Sequence, residues 1–335
     1  MPLQKIVETL VPTATKEEVP KLFREPHVET GFRHLHQPWR YYILSLFQIH
    51  NECMNVWTHV IALLMTMARV AIFAREFDLI YDKFMWPFTA CLLSMLVLYM
   101  CSSFAHCFQN KSELVHYTCF MIDYAGIGLY GLGSVIIHHA YCLHPNMIAS
   151  FVHSYSIPVG VILAILVCIC CSISKTFYSR PYPYTRRLWQ VISVVAVYIW
   201  LILPVWHRVH LYLTDQVPWD SGMGHHIQQM MWFVAGGFFF GSDIPQRFFP
   251  GKFDFLGHSH QLFHICIMMT SYKQLDAVYH DLKNLRNEPL VKLHPSPTFY
   301  NTFGVIFLVI FVNILSTLFF REVAKFKIAK ESKCS

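Results

Sequence analysis

Charge is scarce in this chain. Only 14% of its 335 residues are Asp, Glu, Lys or Arg, against about 25% in an ordinary soluble domain. The remainder is 55% hydrophobic and 16% aromatic, which is the composition of a membrane protein. The basic residues form no patch. They are scattered between apolar runs, so the formal charge of +6 does not point to nucleic acid. Residues 1–40 lack a continuous apolar stretch. No cleavable signal peptide is therefore expected, and the first span must serve as the insertion signal. The 11 cysteines lack the spacing of a disulfide framework. Cys91, Cys101, Cys107, Cys119 and Cys266 lie inside apolar runs, where they behave as small hydrophobes. The cluster Cys168, Cys170 and Cys171 is read as packing, with reversible palmitoylation beside Lys175 as the alternative. No Asp-Arg-Tyr closes the third span and no Asn-Pro-x-x-Tyr is present. Cys142 is the only plausible outer-loop cysteine. These absences exclude an ordinary seven-helix G-protein-coupled receptor. No inverted repeat or Gly/Pro-broken pair of spans argues for a transporter.

What is present is a series of apolar runs about 20 residues long, the length a bilayer core requires. They can be placed at 56–75, 85–108, 115–139, 149–174, 188–206, 225–243, 258–279 and 299–320. The expected fold class is all-α: a polytopic membrane helical bundle, with a seven-helix zinc-binding core plus an eighth transmembrane helix. Residues 1–55 would form a cytosolic N-terminal segment, of which 1–40 reads as an amphipathic, partly disordered head, 56–320 an eight-span transmembrane domain and 321–335 a basic cytosolic tail. With eight spans, eighteen of the 26 Lys and Arg residues fall on the side that holds both termini. The positive-inside rule then puts both termini in the cytosol. The sequon Asn110-Lys111-Ser112 would face the same side and stay unglycosylated.

Three histidines and one carboxylate are embedded in this lipid-grade sequence, where polar groups are costly and mark function. His260 and His264 are four apart and share one helical face. His106 closes the second span, and Ser102 stands one turn before it. Asp123 lies in the first turns of the third span. Under the eight-span orientation all of these fall at one depth. Three neutral imidazoles suit a zinc ion with an open fourth position. Such an ion lowers the pKa of its water toward ~7 and makes a hydroxide nucleophile. Asp123 is then the partner of that water, as acceptor or general base, and Ser102 orients the hydroxide or a substrate oxygen. The competing reading is that the same residues are interhelical hydrogen bonds holding the bundle. His50, Glu52 and Asn55 read as polar groups at a span entrance, with Trp57 in the headgroup belt. His138, His139, His207, His210, His225 and His226 lie toward the other side. They are read as interface and loop residues, with a second metal or proton site as the alternative.

Ser102-x3-His106, Asp123 and Phe248-Phe249-Pro250-Gly251-Lys252-Phe253-Asp254, leading into Ser259-His260-Gln261-Leu262-Phe263-His264, resemble the progestin and adipoQ receptor family. Asn51-Glu52-x2-Asn55-Val56-Trp57-Thr58-His59 is similar to that family's entrance motif. The resemblance covers about residues 20–280. Phe23-Arg24-Glu25-Pro26, His36-Gln37-x-Trp39-Arg40-Tyr41-Tyr42, Lys111-Ser112-Glu113-Leu114-x-His116-Tyr117 and Arg180-Pro181-Tyr182-Pro183 resemble its membrane progestin receptor branch of the alpha and beta type. An eighth span also fits that branch. The resemblance implies zinc (Zn2+) held by His106, His260 and His264, with Asp123 and Ser102 at the family's zinc-adjacent carboxylate and serine. It implies a cell-surface receptor in the plasma membrane that binds a progestin steroid. It further implies rapid non-genomic signalling, tied to inhibitory G proteins and oocyte maturation. Relation to alkaline ceramidases implies the alternative, a zinc-dependent intramembrane lipid amidase acting on ceramide-like lipids. The motifs that match belong to the metal site, so the resemblance assigns no residue of a steroid pocket.

Overall fold

A computed structural model describes residues 10–148, 150–180, 182–287 and 296–334. The apolar runs fold as eight long helices: α1 (Cys53–Glu76), α2 (Trp86–Phe108), α3 (Glu113–Tyr141), α4 (Ser156–Thr176), α5 (Tyr184–Leu213), α6 (Ser221–Ser242), α7 (Ser259–Asn287) and α8 (Val305–Cys334). No strand occurs among the described residues. The all-α polytopic bundle expected from the sequence is therefore borne out. Caps mark several helix starts. Ser112 accepts from the Val115 amide ahead of α3, and Asp220 accepts from the Gly222 and Met223 amides ahead of α6. Each satisfies a backbone donor that the helix leaves unpaired.

Helix α3 runs through the middle of the bundle and packs on α2, α4, α5, α7 and α8. Small residues make the close approaches possible. A Cβ at Gly128 would stand 2.4 Å from the Ala164 carbonyl oxygen, so α3 and α4 meet backbone to backbone. The ring closes through α1 against α2 and α7, and through α6 against α7. Helix α8 lies on α3 and α4, and Lys327 donates to the Thr176 and Tyr178 carbonyls at 2.9 and 3.0 Å. Those bonds satisfy carbonyls that the end of α4 leaves open.

Six helices are long and apolar enough to cross a membrane by composition: Cys53–Glu76, Lys83–Phe108, Glu113–Tyr141, Ser156–Thr176, Tyr184–Leu213 and Tyr300–Lys333. Helices α6 and α7 are more polar. Their polar residues, such as His226, Gln229, Gln274 and Asp281, are buried against neighbouring helices, which is how a bundle accommodates such groups. The fourth span starts later than expected, at Ser156, after a separate short helix at Phe151–Ser154. The fifth extends beyond 188–206 at both ends because its end residues are held by ion pairs: Arg187 to Asp243, and Arg208 to Asp220 and Asp281. Residues 321–334 continue α8 as helix.

The N-terminal segment folds back over one end of the bundle, called here the terminal face because both described chain ends lie there. An isolated bridge joins Ala14 to Phe32, and Ala14, Val19, Val28 and Phe32 form a small core. Asp254 accepts from the Glu29 and Thr30 amides and from the Thr30 hydroxyl, tying the segment to the loop before α7. Gly31 is required at the crossing: its φ is +84°, and a Cβ there would lie 2.6 Å from the Phe255 ring, a combination open only to glycine.

Candidate metal centre and cavity

At the terminal face the chain brings four helix ends together. Helix α2 delivers His106 in its last turn, and α7 delivers His260 and His264 in its first two turns. Helix α3 supplies Asp123, and α1 opens directly after Glu52. His106 and His264 are each 1% exposed. One ligand atom from each of His106, His260 and His264 can be chosen so that all three lie within 4.8 Å of one another. The Nε2 atoms of His106 and His260 face each other at 3.3 Å. Tetrahedral zinc with Zn–N of about 2.0–2.1 Å places two nitrogens about 3.3 Å apart, so the spacing fits that ion.

The other ring nitrogens are already engaged. His106 Nδ1 donates to the Glu52 carboxylate at 2.7 Å, and His264 Nδ1 donates to the Asn55 carbonyl at 3.1 Å. These partners fix tautomers that leave the Nε2 lone pairs of His106 and His264 free, and that of His106 faces His260, the support that outer partners of a metal site provide. Asn55 Nδ2 donates in turn to Glu52 at 2.8 Å. Burial alone would raise the Glu52 carboxyl, but His106, Asn55 and Arg33 together hold it well below the usual carboxylate range. Glu52 thus stays ionised as an acceptor for His106.

Arg33 supports the site from the N-terminal segment. Its guanidinium is fully buried and donates to the His106 and Cys107 carbonyls, both at 2.7 Å, and to Asn110 Oδ1 at 3.0 Å. It satisfies the open carbonyls at the end of α2 and complements the negative end of that helix. It also occupies the sequon asparagine.

The triad opens into a cavity of about 840 Å³. Ser102 and Asp123 line it beside His106, His260 and His264. All five site residues singled out in the sequence therefore meet at one cavity. The lumen continues between Leu98, Ile127, Val194, Val197, Leu201 and Phe233 toward Tyr130, Ser134 and Gln274. Tyr130 donates to Gln274 Oε1 at 2.7 Å. Between α5 and α6 the wall is thin, and Tyr198 stacks on Phe233 there with ring centroids 3.5 Å apart.

Sequence reasoning missed the part that Glu52, Asn55 and His59 play, having read the first two as a span entrance. Their spacing of three and four residues places them on one helical face, which was the available signal. His59 stacks on His264 at 3.8 Å, and neither of its ring nitrogens has a hydrogen-bond partner. The histidines at the other end also depart from the interface-and-loop reading. His138, His139 and His226 are buried. His226 joins Cys142 and Asp281 in a second group with ligand-type atoms within 4.8 Å.

A family model described as Haemolysin-III related matches residues 47–275. The chain belongs to that family. It is 36% identical over 301 residues to membrane progestin receptor beta of Homo sapiens, covering 87% of this chain and 83% of the relative. It is 34% identical over 323 residues to the human alpha receptor, covering 96% and 91%. It is 30% identical over 318 residues to the human gamma receptor, covering 94% of each. The progestin and adipoQ receptor resemblance is thereby borne out, and the chain is a multi-pass membrane protein of a family that includes named membrane receptors.

Proposed function

We propose that this chain is a plasma-membrane receptor for a progestin-type steroid, with a zinc ion held by His106, His260 and His264 at one end of the ligand cavity. The observation that carries the reading is the 840 Å³ cavity, in a chain whose relatives are named membrane progestin receptors. A mostly apolar pocket of ~300–1,000 Å³ with a few polar groups is the usual form of a small-molecule site. A steroid is rigid and apolar with polar ends. The lumen offers polar groups at the triad and again at Tyr130, Ser134 and Gln274. The terminal face is assigned to the cytosol by its basic residues, and inhibitory G proteins are the signalling partners this reading carries. A tag at either terminus should become accessible only after permeabilisation, and labelling of one end on intact cells contradicts the topology.

The test is saturation binding of a labelled progestin to the purified full chain in lipid nanodiscs, with zinc measured on the same sample. Saturable, competable binding is expected. A folded, zinc-loaded sample that binds no progestin overturns the receptor reading.

The grouping of Asp123 and Ser102 with the triad favours a second reading, hydrolysis of a lipid amide of the ceramide type. Bound zinc would supply Lewis acidity at the three imidazoles. Asp123 would hold or take a proton beside it, Ser102 would orient the polar group of the substrate, and the apolar lumen would hold the chains away from water. Asp123→Asn should leave zinc content unchanged and abolish turnover of a ceramide substrate. Unchanged turnover removes Asp123 from that role.

A further inference from the structure

At the mouth of the cavity one buried cation lacks a counter-ion. Lys175, in the last turn of α4, is 3% exposed and lines the cavity. Its ammonium sits 3.7 Å from the centroid of the Phe120 ring, and Phe120 in turn edges His106 at 5.9 Å between centroids. Arg186 lines the same mouth. Its guanidinium stacks on Tyr182 at 3.7 Å and donates to the Ser174 carbonyl at 3.2 Å. Among the described residues no carboxylate lies within ion-pair distance of either cation. Three of the carboxylates that line the cavity are paired elsewhere, Glu25 with Arg180, Glu52 with His106 and Asp243 with Arg187, and the fourth, Asp123, forms no ion pair with Lys175 or Arg186.

A buried ammonium held only by an aromatic face is poorly compensated. A cation–π contact contributes about 0.5–2 kcal/mol, less than the effective cost of several kcal/mol for removing a charge from water. An anion supplied by a ligand would complete the site, because a phosphate, sulfate or carboxylate accepts several charge-assisted hydrogen bonds at once. The lumen beyond is apolar, so that anion would be the head of a longer molecule. A neutral steroid fills the apolar part and leaves Lys175 unanswered.

We propose that Lys175, with Arg186 beside it, forms a binding site for the anionic head of an amphiphile whose apolar body lies in the cavity, the head being a phosphate, sulfate or carboxylate. The proposal rests on reading the cavity as the ligand site. It adds to the progestin assignment a preference for anionic ligands.

The test compares two matched pairs on the full chain in an uncharged detergent: hexadecanol with hexadecyl phosphate, and pregnenolone with pregnenolone sulfate. At least one anionic member should bind about tenfold more tightly than its neutral partner, and the pair that responds identifies the source as a single-chain lipid or a steroid. Lys175→Met, which keeps the volume, should abolish the difference, and Lys175→Arg should restore most of it. Equal affinity within both pairs overturns the proposal. So does a preference that survives in Lys175→Met, which would place the anion on the metal. Inorganic phosphate binding as tightly as hexadecyl phosphate also overturns it, since that marks a free-anion site. Labelled progesterone on the same sample reads the receptor assignment separately: its failure to bind counts against that assignment and leaves the paired comparison standing.

Discussion

Two buried clusters of metal-type side chains occupy opposite ends of this bundle, and they differ in what meets their lone pairs. At the terminal face, the Nδ1 atoms of His106 and His264 are engaged by Glu52 and Asn55, which leaves their Nε2 lone pairs free, and His106 Nε2 faces His260 Nε2 at 3.3 Å. At the other end, Cys142, His226 and Asp281 are equally buried, but their polar atoms are paired with one another and with neighbours. His226 Nε2 donates to Asp281 at 2.8 Å, and Arg208 donates to the same carboxylate at 2.8 Å. Gln229 donates to His226 Nδ1 at 2.8 Å and to His138 Nε2 at 3.2 Å. Asp220 completes the group through Arg208. The first cluster is arranged to take a cation; the second already contains one, the guanidinium of Arg208. Proximity of ligand-type residues is therefore a weak sign of a metal until their hydrogen bonds have been followed.

The largest expected effect separates the two clusters outright. His264→Ala should reduce the zinc content of the purified protein to background and lower its stability, since a metal bound only by the folded state stabilises it. His226→Ala should leave the zinc content unchanged. Elemental analysis of both variants decides it, and zinc lost from the second variant would erase the contrast.

The next effect falls on the ion network. Asp281→Asn removes the carboxylate that Arg208 and His226 share and leaves a buried guanidinium with Asp220 alone. Breaking a buried pair in this way costs about 3–5 kcal/mol. The unfolding temperature in detergent should fall by several degrees with zinc retained. An unchanged transition would show that the network does not hold α5 to α7.

Glu52→Gln sharpens the triad side. It keeps the shape but removes the charge that accepts from His106, and loss of such an outer partner weakens metal affinity about 10–100-fold. Chelator competition measures it, and an unaltered affinity would reduce Glu52 to a helix-entrance residue. The smallest effect is reserved for Cys142→Ser, which should change zinc content not at all.

These contrasts also mark what could be read from the sequence. The eight helices follow from apolar run length, and His260 and His264 follow from their four-residue spacing. His106, Ser102 and Asp123 were placed by depth alone, and they do meet at one cavity. Arg33 and Lys175 were not legible as parts of the site. A lone cation in a loop or at a span end reads as an interface residue until the packing around it is known. Arg33 reaches the His106 carbonyl from 73 positions away in the chain, a separation that no local pattern encodes. The extent of α5 was underestimated for a related reason: its ends are polar, and ion pairs to other helices hold them in place.

Zinc-edge X-ray absorption on the purified chain tests the central assignment most directly. Zinc at His106, His260 and His264 should give a first shell of nitrogen and oxygen only, at about 2.0–2.1 Å. A sulfur shell at about 2.3 Å would place the metal at a cysteine and contradict the assignment.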